Sequence, residues 1–369
     1  MRTAVMFAAG GGGDAVTATM LARALSSEIT VTAIMSWSWD RLLVDPLPGP
    51  RSADDFHGLI AHGDGLHQVP STATLTTGGE STLPRLASHL DPMPLLLADP
   101  RAGAFGLSRQ LQRAADVFSA DLIVVVDAGG DILAAGDEPG LRSPLADSLA
   151  LAAAVRSTLP THVLVTGLGL DGELTVAELD QRLVDLDAHE LSSLGPREVV
   201  GLESIWAWHP SEANALLALA ASGWRGRVES QRETTISVDS QCTAVFRVDP
   251  ARLTSNSIAK SLTDTTSLDS AEQAVRRLRG FSDIDIERRR LHTRSQPQHP
   301  GAEAIAHLDL YAAAAVNRGI DALTTRRVLE LSAATDSQST LALRQLLEHH
   351  RPNNFRPPLY LTSSSDLRR

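Results

Sequence analysis

Short apolar runs alternating with helix-spaced segments predict an α/β protein: a doubly wound, mostly parallel sheet with a helical C-terminal extension. The strongest apolar runs are residues 3–9 (TAVMFAA), 122–126 (LIVVV) and 162–166 (HVLVT). Each runs into a loop of glycine and acidic residues, and a helix-spaced segment lies downstream of each. Ligands of open α/β sheets bind beyond the carboxyl ends of the strands, so this pattern also predicts where a site would form.

Taken in order, residues 3–9 read as a buried strand and 15–26 as a helix carrying Val16, Met20, Leu21 and Leu25. Residues 29–37 are rich in β-branched side chains and predict a second strand. Residues 44–106 are irregular and rich in proline, which predicts loops with short strands. Helices are expected at 107–119, 144–157, 177–192 and 211–221. Residues 233–248 alternate apolar and polar side chains and suggest one or two antiparallel strands. Residues 254–300 are polar, arginine-rich and poorly patterned. Helical spacing returns over 302–350, and a partly disordered tail is expected after it. This divides the chain into an α/β ligand-binding domain (1–250) and a mainly helical region (251–369).

Composition narrows the function. The 369 residues carry a net charge of −11 and only 4% aromatic side chains. Nucleic-acid binders usually present a basic face with stacking aromatics, so no nucleic-acid partner is expected. No run approaches the ~20 apolar residues of a membrane span. The apolar start is cut short by four glycines and Asp14, unlike a signal peptide. Cys242 is the single cysteine, which excludes an intramolecular disulfide framework. A reducing cytoplasm is the simplest home. Lys260 is the only lysine, so Schiff-base chemistry has one candidate at most.

Three loops could build one site. The first is Gly10-Gly11-Gly12-Gly13-Asp14, between strand and helix. Glycines there allow close backbone approach, and the helix N-terminus favours a phosphate or carboxylate. It fits G-x-G-x-x-A but lacks the lysine and hydroxyl of a P-loop. Gly11, Gly12, Gly13 and Asp14 are its candidate ligand contacts. In the second loop, Asp127 and Asp131 flank Gly129 and Gly130; the two carboxylates could bind Mg²⁺, move a proton or hold ribose-like hydroxyls. The third carries Gly169, Asp171 and Glu173. Asp127, Asp131 and Asp171 are the catalytic candidates; Gly129, Gly130, Gly169 and Glu173 are ligand-binding candidates. In each loop, turn formation and helix capping by aspartate is the alternative.

Other groups carry weaker signals. His57, His62 and His67, with Asp64, are spaced too widely for common zinc motifs. His209, near Trp206, Trp208 and Glu203, reads as packing before general base. Cys242 sits in β-like sequence as a small hydrophobe.

The stretches AAGGGGDAV (8–16), WDRLLVDPLPGP (39–50), VVVDAGGDIL with GDEPGLRSPLADS (124–148) and VTGLGLDGELT (165–175) resemble the family called domain of unknown function 1152. The resemblance covers roughly the first 250 residues. It implies a Rossmann-like fold and marks the same loops, but implies no reaction.

The expected function is that of a cytoplasmic enzyme of small-molecule metabolism, with a homo-oligomer as the default assembly. Its ligand would be a nucleotide or phosphorylated metabolite, and its reaction group transfer or hydrolysis. An NAD(P)-dependent oxidoreductase is the first rival. It would need an acidic residue near the end of the second strand, where Asp40 stands crowded by Trp37, Ser38 and Trp39. A non-catalytic ligand-binding or regulatory protein is the second.

Overall fold

The structure is a computed structural model that describes residues 1–293 and 296–363. Nine strands form the central sheet: β1 (Arg2–Ala8), β2 (Ile29–Ser36), β3 (Ile60–Gly63), β4 (Leu66–Gln68), β5 (Leu95–Leu97), β6 (Leu122–Ala128), β7 (Thr161–Thr166), β8 (His189–Ser193) and β9 (Ala244–Val248). Their spatial order is β8-β9-β7-β6-β1-β2-β5-β4-β3. The five central strands, β7, β6, β1, β2 and β5, run parallel, and the ladders flanking them on both sides are antiparallel. The protein is therefore α/β with a large, mostly parallel central sheet. Register levels the strand ends, with Ala8 opposite Val126 and Val126 opposite Leu164. The loops after β1, β6 and β7 thus leave the sheet side by side.

Six helices cover it: α1 (Asp14–Ala24), α2 (Thr82–Leu90), α3 (Gly103–Phe118), α4 (Pro144–Arg156), α5 (Val176–Asp185) and α6 (Glu212–Ala221). Period-2 alternation in β1 sorts the two faces. Ala4, Met6 and Ala8 join one core with residues of α1, α2 and α6, whereas Val5, Phe7 and Ala9 join another with α3, α4 and α5. Being buried on both faces explains why β6 is apolar through Val126 rather than alternating. α4 is buried from Pro144 through Ala154, so its Ala/Leu composition is apolar all round.

Four expectations need correction. The helix expected over 177–192 ends at Asp185. Asp187 adopts a positive φ of 54°, and the chain turns into β8, which pairs with β9. Residues 235–238 and 244–248 are two strands, but they belong to different sheets. The described residues of 254–300 include the helices Leu268–Arg279 and Asp283–Thr293. Their apolar side is narrow: Ala271, Ala274, Val275 and Ile284 enter the second core. Their arginines instead pair with acids, as Arg276 and Arg288 do with Glu272 and Asp285. The fourth concerns the helical extension and its tail. Beyond helices Ala302–Asn317, Thr325–Leu331 and Ser337–His350, the region supplies strands Ala322–Thr324, Phe355–Arg356 and Leu359–Leu361. With Gly226–Glu229 and Thr235–Val238 these make a second sheet of five strands. Tail residues 364–369 lie outside the described residues. Among the described residues, no helix is long and apolar enough to cross a membrane.

Glu229 ties this second sheet to the helices beside it. Its buried carboxylate pairs with Arg327 at 2.9 Å and accepts hydrogen bonds from Tyr311 and Arg318. Side-chain exposure is 5% for Glu229 and 6% for Arg327. Removing one partner of a buried pair leaves the other uncompensated, at roughly 3–5 kcal/mol. Glu229→Ala is therefore expected to lower unfolding free energy by about that amount in denaturant titration, and to expose residues 302–363 to limited proteolysis. A loss under about 1 kcal/mol would mean the pair does not hold this region.

Candidate functional site

The loops after β1, β6 and β7 enclose a cavity of about 130 Å³ at the carboxyl ends of the strands. Gly10 to Gly13, Asp14, Asp127, Asp131, Asp171 and Glu173 line it, together with Asp147 from the first turn of α4 and Asp283. A backbone hydrogen bond of 2.7 Å from Gly169 N–H to the Gly129 carbonyl joins the second and third loops.

The glycine loop owes its composition to packing as well as to the space before it. A Cβ at Gly13 would lie 2.5 Å from Cβ of Ser211, just before α6. One at Gly12 would meet Thr82 Oγ1 at 3.1 Å and the Trp37 carbonyl at 3.3 Å. Gly11 has more room, with its nearest contact 3.4 Å away. At Gly129, where φ is +140°, a Cβ would fall 2.5 Å from Asp171 Oδ2. That glycine makes room for the carboxylate. Gly130, Gly129 and Gly169 do not line the cavity; Gly130 faces Leu179 and Leu168.

Each acidic side chain is held differently. Asp14 accepts from Gly10 N–H at 3.0 Å and from the Asn214 amide at 2.9 Å. Asp127 accepts from Gly130 N–H at 2.9 Å. Asp171 accepts from Glu173 N–H at 2.9 Å through Oδ1, while its buried Oδ2 has no partner. Asp283 accepts from Leu145 N–H in the first turn of α4, and its Oδ1 also lacks a partner. Asp147 Oδ1 is buried without a partner. Glu173 is the exception. It accepts from the N–H groups of Arg142 and Ser143, from the Ser143 hydroxyl and from Arg232. Its bonds anchor the start of α4.

Burial and mutual repulsion set the protonation of the group. Burial raises Asp14 to about 6 despite its hydrogen bonds. Burial, then Glu173, raises Asp171 to about 7. Asp127, Asp131 and Asp147 are pushed well above the carboxylate range by burial and by neighbouring aspartates. Burial also lifts Asp283. It works against Glu173 too, but Arg232 and the donors from Ser143 and Arg142 outweigh it and hold that carboxyl below its usual value. One oxygen from each of Asp14, Asp127 and Asp147 lies within 4.8 Å of the others, a spacing that a metal ion could bridge.

Arginines form the other wall. Arg41, Arg142, Arg232, Arg290 and Arg326 line this cavity and also a second one of about 790 Å³, which Leu42, Leu43, Thr234 and Leu329 line as well. Arg232 pairs with Glu173 at 2.7 Å and Arg326 with Glu212 at 3.3 Å. Among the described residues, Arg41, Arg142 and Arg290 have no ion pair. His209 also lines the inner cavity. Burial drops it to about 3, so the ring is neutral at pH 7. Its Nδ1 accepts from Ser211 N–H at 3.2 Å, which puts the proton on Nε2, a buried donor without a partner. That makes it a hydrogen-bond donor and a poor general base.

The structure thus gathers Gly11, Gly12, Gly13, Asp14, Asp127, Asp131, Asp171 and Glu173 around one cavity. Sequence reasoning missed Asp147, Asp283, Asn214 and the arginines. Asp147 carries a readable signal: a carboxylate inside an otherwise apolar Ala/Leu stretch has to be buried with the helix. The arginines, spread over nearly 300 positions, leave none. His57, His62 and His67 stand apart from the cavity lining.

Asp171 and Asp40 predict a pH dependence. Burial raises Asp40 to about 6, although Thr82 donates to it through both N–H and hydroxyl. Both carboxyls hold a proton more tightly folded than unfolded, where they titrate near 3.8. Their contribution to stability is complete below 3.8 and is lost as pH rises through about 6 to 7. Chelator-treated protein is expected to melt at a lower temperature at pH 8 than at pH 5.5. Asp171→Asn should flatten that slope. An unchanged slope would show that Asp171 titrates as an ordinary carboxyl.

No curated protein and no solved structure matches the chain. A family model described as "Protein of unknown function (DUF1152)" matches residues 5–291, well over half the sequence and all three loops. The chain belongs to that family.

Proposed function

We propose that the cleft binds a phosphate-bearing small molecule, a nucleotide or phosphorylated metabolite, and catalyses group transfer or hydrolysis on it. The carrying observation is the arginine wall: five arginines line both of two adjoining cavities, and among the described residues three of them have no ion pair. Guanidinium groups suit phosphate oxygens in charge and geometry. The His209 Nε2–H adds a neutral donor. Asp131 and Asp171 line the same space; burial raises the proton affinity of both, and that of Asp171, raised to about 7, suits acid–base work near neutrality.

The topology supports a Rossmann-like reading. By chain position the parallel strands run third, second, first, fourth, fifth, and the order reverses between β1 and β6. Ligands bind at such a reversal, here flanked by the loops of Gly10–Asp14 and Asp127–Asp131. The dinucleotide oxidoreductase reading loses support from Asp40, whose carboxylate is engaged by Thr82. A free, buried Cys242 accords with a reducing cytoplasm.

Native mass spectrometry of the purified protein, followed by calorimetric titration with nucleoside di- and triphosphates and sugar phosphates, tests the ligand class. Arg41→Ala and Arg290→Ala should each weaken binding roughly tenfold or more, with little change in melting temperature. Equal affinity in both variants would sink the phosphate assignment. Turnover separates an enzyme from a binder. Asp131→Asn should lower it by at least about 100-fold while leaving the ligand bound. Near-normal turnover would reduce Asp131 to a turn residue.

A further inference from the structure

We propose that Asp14, Asp127 and Asp147 form the site of one hard divalent cation at the floor of the inner cavity. Their carboxylate oxygens approach within 4.8 Å of one another, and all three residues are buried. Ligands on opposite sides of a Ca²⁺ ion stand about 4.6–5.2 Å apart, twice the bond length, and adjacent ligands stand closer. The upper bound of 4.8 Å falls in that range, so small side-chain adjustments bring all three onto one ion. Every donor is a carboxylate oxygen, which suits Mg²⁺, Mn²⁺ or Ca²⁺ better than a softer metal.

An acidic cluster alone does not make a site, and a separate feature points to a ligand here. Asp147 is 2% exposed, yet its Oδ1 has no hydrogen-bond partner among the described residues. On the same cavity wall Asp283, 6% exposed, also has an orphaned oxygen. Buried polar atoms are nearly always satisfied, so two orphans facing one cavity leave a place for a positive partner. The nearby arginine pairs belong instead to Glu173 and Glu212.

The surroundings hold the proposed ligands in place. Gly10 N–H and the Asn214 amide fix Asp14, and Gly130 N–H fixes Asp127. Such outer hydrogen bonds orient metal ligands. Asp14 and Asp147 each lie in the first turn of a helix, where the dipole favours the ionised form. This site goes beyond the phosphate reading, since it requires no organic ligand. An ion there would also offset the negative floor that a phosphate must approach.

The test is Mn²⁺ titration of the full chain, freed of metal and organic ligands and followed by water-proton relaxation. Melting curves with MgCl₂, CaCl₂ or KCl at matched ionic strength accompany it. Expected are one saturable Mn²⁺ per chain and a higher melting temperature with a divalent salt but not with KCl. Asp127→Asn and Asp147→Asn should each weaken Mn²⁺ binding at least about tenfold. Without metal, both should melt no lower than the parent, because Asn keeps the shape of the side chain and takes an acidic group out of a crowded buried cluster. Should either fail to fold, Asp14→Asn and the parent's melting shift still decide. Absence of saturable Mn²⁺ binding overturns the proposal, as does binding unaffected by the Asn variants, or KCl stabilisation equal to that of the divalent salts. Arg290→Ala should keep its Mn²⁺ while losing phosphate affinity. Mn²⁺ binding without any phosphate binding would therefore retain the cation site and reject the proposed function.

Discussion

A cluster of acidic side chains buried at one end of a parallel sheet is the constraint around which the molecule is arranged. Parallel strands deliver all their carboxyl ends to one edge, and level register puts β1, β6 and β7 there together. Each is followed by an acidic loop, so the aspartates meet in a buried space. Like charges in a low dielectric repel strongly. Several features answer that cost. α1 and α4 begin at the cluster with their positive dipole ends. Gly129 gives up a side chain so that Asp171 can fit. Glu173 takes Arg232 as its partner and joins the loop after β7 to the start of α4.

Much of this was legible in the sequence, for a physical reason. A strand buried on both faces must be apolar throughout, so β1, β6 and β7 stand out, as do the glycines that end them. Loops at strand ends are local, and Gly10–Asp14, Asp127–Asp131 and Asp171–Glu173 could be read one at a time. What the sequence hid was non-local. The pairing of β8 with β9 depends on a left-handed turn at Asp187, which helical periodicity does not reveal. The second sheet joins residues 226–238 to residues 322–361, and its strands are too short to show a period. Helices Leu268–Arg279 and Asp283–Thr293 bury so few apolar side chains that composition reads as irregular. The arginine wall is hidden for the same reason: its members lie on five separate segments.

Arg326 sharpens the role of the C-terminal region. The family match ends at residue 291, yet Arg326 lines both cavities and pairs with Glu212 at the start of α6. Thr324, just before it, donates to the same carboxylate. The second sheet places that segment, because Ala322–Thr324 pairs with Gly226–Glu229 and Leu359–Leu361. Residues outside the family match therefore help build the basic wall, while the acidic floor comes from within it. The floor thus lies within the matched residues, and the wall draws on residues on both sides of their end.

Volume and charge together order the cleft. The inner cavity, about 130 Å³, has room for an ion and one small charged group, whereas the outer one, about 790 Å³, has room for a metabolite-sized body. The arginines stand where the two meet. A ligand with a charged head and a larger neutral remainder would match this gradient from the acidic floor through the basic wall to the open chamber. A ligand that is anionic throughout would bring charge against the floor, and a wholly apolar one would offer nothing to Arg41, Arg142 and Arg290, which have no ion pair among the described residues. His209 strengthens the distinction: a neutral imidazole offering Nε2–H donates to an acceptor oxygen without adding charge. Under the proposed function, a charged head among the arginines would stand in the cavity that Asp131 and Asp171 also line, the two groups proposed to move a proton.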